Sequence, residues 1–402
     1  KFQIHPEEDV IMTLSRGAIG NLVNRYRAVL RKCRMMNVFG SLAVAGMLVA
    51  GNAGFAGAEE LSGDISPISL SGDTRNIIGV GDISLRSTEP ALRYLINVSG
   101  QGQLDISMSN GSPMAVGNAD GIYLKDYSDS DQYASAFHVA GSGSSGSFVG
   151  TGTFSMVGGG KLLGVCAFLS ESKGTLTLSG DITGEAEAVM NGSNGYASFA
   201  AAAAGGNLVF GGDRTTLRAK ASTGNNANGA FVKYGGMIGF ASKSVLIESK
   251  NTDSNSVGIN CADGTVKTSA DTDLDIVVEG NKATTGIQLT ASSSDVQLAG
   301  NLDLTATQTG QDSFASVLGI SNDSGKMVVS GPTSLRLVTN APFDAKGITA
   351  SGKADMSFLG DVEIAVTGSA SGSALYTTYR YDYSTQSGIC PVISLGTDGK
   401  AV

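Results

Sequence analysis

The chain has 402 residues, of which 56 are glycine, about twice the usual share, while only 7 are proline and none is tryptophan. That composition disfavours a helical protein, and with 41% hydrophobic residues it also excludes collagen and proline-rich disorder. A formal charge of −9 argues against a nucleic-acid partner, and two histidines with four cysteines leave little room for metal sites, histidine catalysis or a bound cofactor.

Residues 1–58 differ from everything that follows. Val38 to Val49 is almost wholly apolar or small, Ala56-Gly57-Ala58 has the form of an A-x-A cleavage site, and Glu59-Glu60 opens the polar sequence beyond. The apolar run is shorter than the roughly 20 residues of a membrane span. Initiation at Met12 supplies a basic n-region of Arg16, Arg25, Arg27, Arg31, Lys32 and Arg34 with no acid, and leaves Lys1–Ile11 upstream. An extended export signal ending at Ala58 is expected. Beyond it the chain carries 20 basic and 33 acidic side chains.

The stretch from Gly20 through Arg25-Tyr26-Arg27 and Arg31-Lys32-Cys33-Arg34 to Asn37, followed by a Ser/Ala/Leu/Gly h-region, resembles the extended signal peptide region of large Gram-negative autotransporters. The resemblance covers the signal alone. It implies passage through the inner membrane and periplasm, display of the passenger at the cell surface, and an outer-membrane translocator barrel.

From Glu59 onward short segments alternate polar and apolar residues, as in Thr175-Leu176-Thr177-Leu178 and Leu302-Asp303-Leu304. These are expected strands with one buried face. Residues 59–135 contain such strands without a clear phase, and Gly121 to Tyr133 reads as an insertion. Over 136–402 the strands fall into a phased unit that begins with a small residue and an apolar one: Ala136-Phe137, Gly164-Val165, Gly195-Tyr196, Gly229-Ala230, Gly258-Ile259, Gly286-Ile287, Gly319-Ile320, Gly347-Ile348 and Ala374-Leu375. Successive units are 27 to 34 residues apart. Each contains three short strands, with a corner at Gly180-Asp181, Gly212-Asp213, Gly300-Asn301, Gly331-Pro332 or Gly360-Asp361, where glycine suits a sharp bend. The expected fold is all-β, a parallel, right-handed β-helix solenoid with coils of about 30 residues. The pattern at Gly396–Val402 matches the middle of a unit, so the repeat, and beyond it the barrel that the resemblance implies, is expected to continue past Val402.

No catalytic residue is assigned. Asn322-Asp323-Ser324-Gly325 departs from a serine-protease motif at its first position, and His138, the sole histidine after the signal, falls six coils away. Asp271, Asp273 and Asp275 alternate onto one strand face and are the best acidic set for a polysaccharide lyase or hydrolase. Tyr376, Tyr379, Tyr381 and Tyr383 are the expected binding residues, with three of them alternating on one strand face; Tyr123, Tyr127 and Tyr133 sit in the insertion. Cys166 and Cys261 begin coils three apart, too distant for a disulfide. The leading expectation is a secreted, surface-displayed passenger that acts as an adhesin or structural stalk by binding host or bacterial surface glycans or proteins. The alternative is a secreted β-helix enzyme acting on polysaccharide.

Overall fold

The computed structural model describes residues 58–89, 92–109, 111–118, 133–158, 164–189, 197–222, 226–310, 316–339, 344–368, 372–378, 380–382 and 387–396. All but Ala58 of the expected export signal, and the tyrosines at 123 and 127, lie outside them. Every regular element among the described residues is a β-strand. Eleven strands form one parallel sheet: Ile68–Ser71, Tyr94–Ser99, Tyr133–Ala140, Gly164–Glu171, Ala197–Ala204, Asn226–Lys233, Ser256–Cys261, Ala283–Leu289, Ser316–Asn322, Ala345–Ser351 and Gly372–Thr378. Each opens one coil, and we number the coils 1 to 11 in that order. The remaining parallel strands form a second sheet that runs around the other two faces of each coil. The chain is thus a β-solenoid, as its periodicity predicts.

Parallel stacking puts like residues over like. Ile259 pairs with Ile287, Ile320 and Ile348 in turn, and Ala230 and Leu375 close that file at either end. In coils 4 and 5 the expected phase is corrected. Phe137 registers with Phe168 and then Ala201, so the unit begins at Ala167-Phe168, and Gly164 instead pairs with Tyr133. Gly195-Tyr196 lies outside the described residues. The phase that residues 59–135 conceal is continuous with the rest, since Ile68 pairs with Ile96 and Ile96 with Phe137. Tyr133 opens a strand and is buried, so it does not belong to an insertion loop.

The corners follow from sterics. Ser145–Gly158, Thr175–Ala188 and Asn207–Ala221 are single strands of 14, 14 and 15 residues that bend where Gly150, Gly180 and Gly212 adopt φ of 137°, 123° and 94°. A Cβ on Gly180 would lie 2.1 Å from the Gly150 carbonyl oxygen, so the stack of corners admits no side chain there. In coils 6 and 7 the bend is filled by buried Ser242 and Thr272, whose hydroxyls bond to Thr215 Oγ1 (2.7 Å) and to the Ser242 carbonyl (2.9 Å).

The first sheet departs from simple alternation. In coils 2 to 10 two successive residues of each strand point inward, Ala136 and Phe137 or Gly229 and Ala230 for example, and the ladder skips the first of them. Ser135, just before the doubled position, uses its hydroxyl to bond the carbonyls of Phe137 (2.8 Å) and Ala167 (3.3 Å). A strand that turns two side chains inward in succession brings the flanking outward ones together, and the outer side of this sheet becomes a groove.

Candidate binding groove

Two outward files run along that groove. One reads Tyr94, Ser135, Cys166, Phe199, Asn228, Val257, Thr285, Leu318, Lys346. The other reads Asn97, His138, Leu169, Ala202, Phe231, Asn260, Gln288, Ser321, Thr349, Tyr376. They face each other: Asn260 Nδ2 donates to Asn228 Oδ1 at 3.2 Å, and Lys346 Nζ stands 3.9 Å from the centre of the Tyr376 ring.

From coil 2 to coil 6 the groove gathers most of its aromatic and apolar side chains. Tyr133, Cys166, Leu169, Phe199 and Ala202 form a cluster separate from the interior core, with Tyr94 and Phe231 packed against it. The rings of Phe199 and Phe231 are 4.8 Å apart, and Tyr133 meets Phe199 edge-on at 5.9 Å. Lys233 Nζ donates to the Tyr133 hydroxyl at 2.7 Å although three coil steps separate their strands, and the apolar residues of the intervening coils are buried beneath. At the other end Arg93 clamps the cluster, with Nη2 donating to the Tyr94 hydroxyl (2.8 Å) and the Tyr133 carbonyl (2.9 Å). Burial pushes the Tyr94 phenol up to about 12 against the lowering effect of Arg93, and also raises the Tyr133 phenol and the Cys166 thiol well above their ordinary values. These hydroxyls are therefore neutral hydrogen-bond partners and not acids.

His138 packs at the edge of this cluster and is far from Ser324. Its ring stacks on Tyr94 at 4.0 Å, Nδ1 lies 2.8 Å from Asn97 Oδ1, and Nε2 lies 3.0 Å from Glu171 Oε2. Ser324 is in coil 9, six steps away, inside a turn closed by Asn322, whose Oδ1 accepts from Gly325 N–H at 2.7 Å.

The expected tyrosine set divides. Tyr376 is on the coil 11 strand and 41% exposed, at the far end of the file that starts at Asn97. Tyr381 is on a separate segment, Arg380–Asp382, that pairs antiparallel with Ser387–Ile389. Tyr379 and Tyr383 lie outside the described residues. Arg93, Tyr94, Lys233 and Tyr234 were not anticipated. Their signal was the dipeptide itself, a basic residue followed by tyrosine, in Arg93-Tyr94 and Lys233-Tyr234.

On the second sheet Asp273 and Asp275 are exposed on the strand Asp273–Gly280, with Asp271 at the turn before it. Asp303 stacks beside Asp275 from the next coil, and Asn301 Nδ2 donates to Asp273 Oδ1 at 2.7 Å. Partial burial, then Asp303 and Asp273, raise the Asp275 carboxyl above its usual value. Among the described residues no three His, Cys, Asp or Glu side chains are grouped to hold a metal. A hollow of about 60 Å³ between Val157, Glu185, Glu187, Arg218 and Lys220 holds little more than water, and Arg218 beside it is engaged by Glu185 (3.1 Å) and Glu248. Cys166, Cys261 and Cys390 are free thiols. No family model, curated protein or solved structure matches the chain, so the groove stands on its own geometry.

Proposed function

We propose that the protein is an exported, surface-displayed β-solenoid that acts as an adhesin or stalk by holding host or bacterial surface glycans or proteins along the outer groove of its first sheet. The observation that carries this reading is the groove itself: rings, amides and hydroxyls gathered in two files over ten successive coils, ending on exposed Tyr376. Tyrosine presents a rigid apolar face with a polar tip, and side-chain amides supply both donors and acceptors, which together suit an extended polar ligand. The stacked pair Asp275 and Asp303 supports the alternative of a polysaccharide-cleaving enzyme, because such enzymes work with two neighbouring carboxyl groups and partial burial and the adjacent carboxylates raise Asp275.

The full chain expressed in a Gram-negative host tests the reading in two steps. Export predicts a mature N-terminus at Glu59 on the cell surface. Binding to a panel of glycans and to host cells should fall at least tenfold when Tyr234 and Tyr376 are replaced by alanine, with β content unchanged by circular dichroism. Retention of binding by that variant would overturn the groove assignment. Cleavage of uronate or neutral glycans that Asp275→Asn abolishes would replace the adhesin reading with the enzymatic one.

A further inference from the structure

The groove brings a lysine ammonium over tyrosine at two places. In coil 6 the ammonium of Lys233 stands 4.6 Å from the ring centre of Tyr234, 5.1 Å from that of Tyr133 and 5.6 Å from that of Phe231. In coil 10 the ammonium of Lys346 stands 3.9 Å from the ring centre of Tyr376, in coil 11. The tyrosine of each pair faces outward, Tyr234 being 72% exposed and Tyr376 standing on the last strand of the sheet. Tyr234 reaches its place with φ at 55°, a left-handed backbone that a bulky residue adopts at a cost, so its exposed ring is held out against local preference. Lys346 also pairs with exposed Asp344 at 3.1 Å, a surface contact that contributes little.

The two files between the pairs are uncharged, while Asp263 and Asp323 stand in the turns beyond them. From coil 6 to coil 9 the files present Asn228, Val257, Thr285 and Leu318 on one side and Phe231, Asn260, Gln288 and Ser321 on the other. In a chain whose acids outnumber its bases, two ammonium groups beside tyrosines, joined by two files without carboxylates, favour negative charge along the groove. A ring beside a cation matches a saccharide unit that stacks its C–H face on tyrosine and places a carboxylate or sulfate on lysine. A neutral glycan would leave the ammonium groups idle, and a polyanion without flat apolar faces would leave the rings idle. Four coil steps of about 4.8 Å separate Lys233 from Lys346, so a chain must extend about 19 Å to engage both.

We propose, building on the groove-binding reading above, that the ligand is a linear anionic polysaccharide lying along the solenoid axis and contacting Lys233–Tyr234 and Lys346–Tyr376 together. Two linked contacts raise affinity far beyond either alone.

Titration of the full chain with polygalacturonate, heparin and dextran tests this at low and at raised salt. Polygalacturonate or heparin should bind and dextran should not, and binding should weaken as salt screens the ammonium groups. The variant K233M/K346M should lose at least tenfold in affinity and most of the salt dependence, whereas K233R/K346R should stay within about threefold of the parent, which separates lost charge from lost fold. Polyanion fragments too short to span both pairs should bind at least tenfold more weakly than the polymer. Unchanged polyanion binding by K233M/K346M, or dextran binding as tight as heparin, would overturn the assignment. Dextran binding that Y234A/Y376A abolishes would sink the anionic ligand and keep the groove. Failure of every saccharide to bind would sink both.

Discussion

Coils 3 to 5 and coils 7 to 9 build the same cross-section from opposite materials. In the earlier coils the interior is aromatic: Phe148, Phe154, Phe168 and Phe210 contact one another at 5.0 to 5.5 Å. The doubled inward position of the first sheet is alanine there, at 136, 167 and 200. In the later coils it is glycine, at 258, 286 and 319, and among the described residues there no phenylalanine is buried. Across the core from it runs a file of the second sheet, Gly184, Leu217, Ile247, Ile276, Leu304, Leu335. A Cβ on Gly184 would lie 2.4 Å from Phe168, and one on Gly258 would lie 2.4 Å from Ile276. Where one sheet is large the other is glycine. What stays constant along the solenoid is the volume each coil fills, not the residue at a position, as dense packing requires.

The comparison can be broken most severely at Phe168, which joins Phe154 to Phe210. Phe168→Ala should cost about 3–5 kcal/mol, against about 0.5–1.5 for Ile276→Val in the aliphatic half. Denaturant unfolding gives the totals, and hydrogen exchange should localise the first loss to coils 3–6. Equal costs at the two sites would show that the aromatic stack has no special share in stability. Gly286→Ala comes next. It adds a single methyl, yet its Cβ would stand 2.2 Å from Leu304 and 2.5 Å from the Gly319 carbonyl oxygen, and backbone cannot yield as a side chain can. Destabilisation of about 1–3 kcal/mol is expected, with partial relief from Leu304→Ala. A neutral G286A would refute volume complementarity as the reason for the glycine.

The same contrast decides what could be read before the fold was known. The coil period was legible at Gly258-Ile259, Gly286-Ile287, Gly319-Ile320 and Gly347-Ile348 because one chemical solution recurs there. It slipped at coil 4, where Ala167-Phe168 performs the same task with different residues and Gly164-Val165 imitates the pattern three positions early. Glycine corners were legible for the related reason that a stacked bend leaves almost no room for a side chain, although Ser242 and Thr272 take the place in coils 6 and 7. The groove was harder. Tyr376 stood out in a tyrosine-rich stretch, but the bond from Lys233 to Tyr133 joins residues 100 apart in the chain. Only the stacking register brings them together, and no local pattern announces it.

Charge marks a smaller difference between the halves. Asp181, Glu185 and Glu187 of coil 4 stack on Arg214, Arg218 and Lys220 of coil 5, opposite signs in register. Replacing Arg218, which holds Glu185 and Glu248 at once, with alanine should cost at most about 1 kcal/mol, since all three side chains are partly in water. A larger loss in thermal unfolding would mean that these pairs fix coil register as well as decorating it.

In coils 7 and 8 like charges stack instead, Asp275 on Asp303, and the smallest effect is expected there. Burial and the neighbouring carboxylates raise the Asp275 pKa in the folded state, so the fold binds that proton more tightly than the unfolded chain does. Stability from this group is therefore fully present below the ordinary aspartate pKa of 3.8 and is lost as pH rises through the higher folded value. At neutral pH Asp275 is a net liability. Asp275→Asn should raise the Tm slightly at pH 7 and leave it unchanged near pH 3, while Asp181→Asn, which removes an acid from a complementary stack, should not raise it at either pH. A D275N variant with a lower Tm at pH 7 would show that the carboxylate, crowded as it is, is needed in its charged form, a requirement that stability alone does not impose.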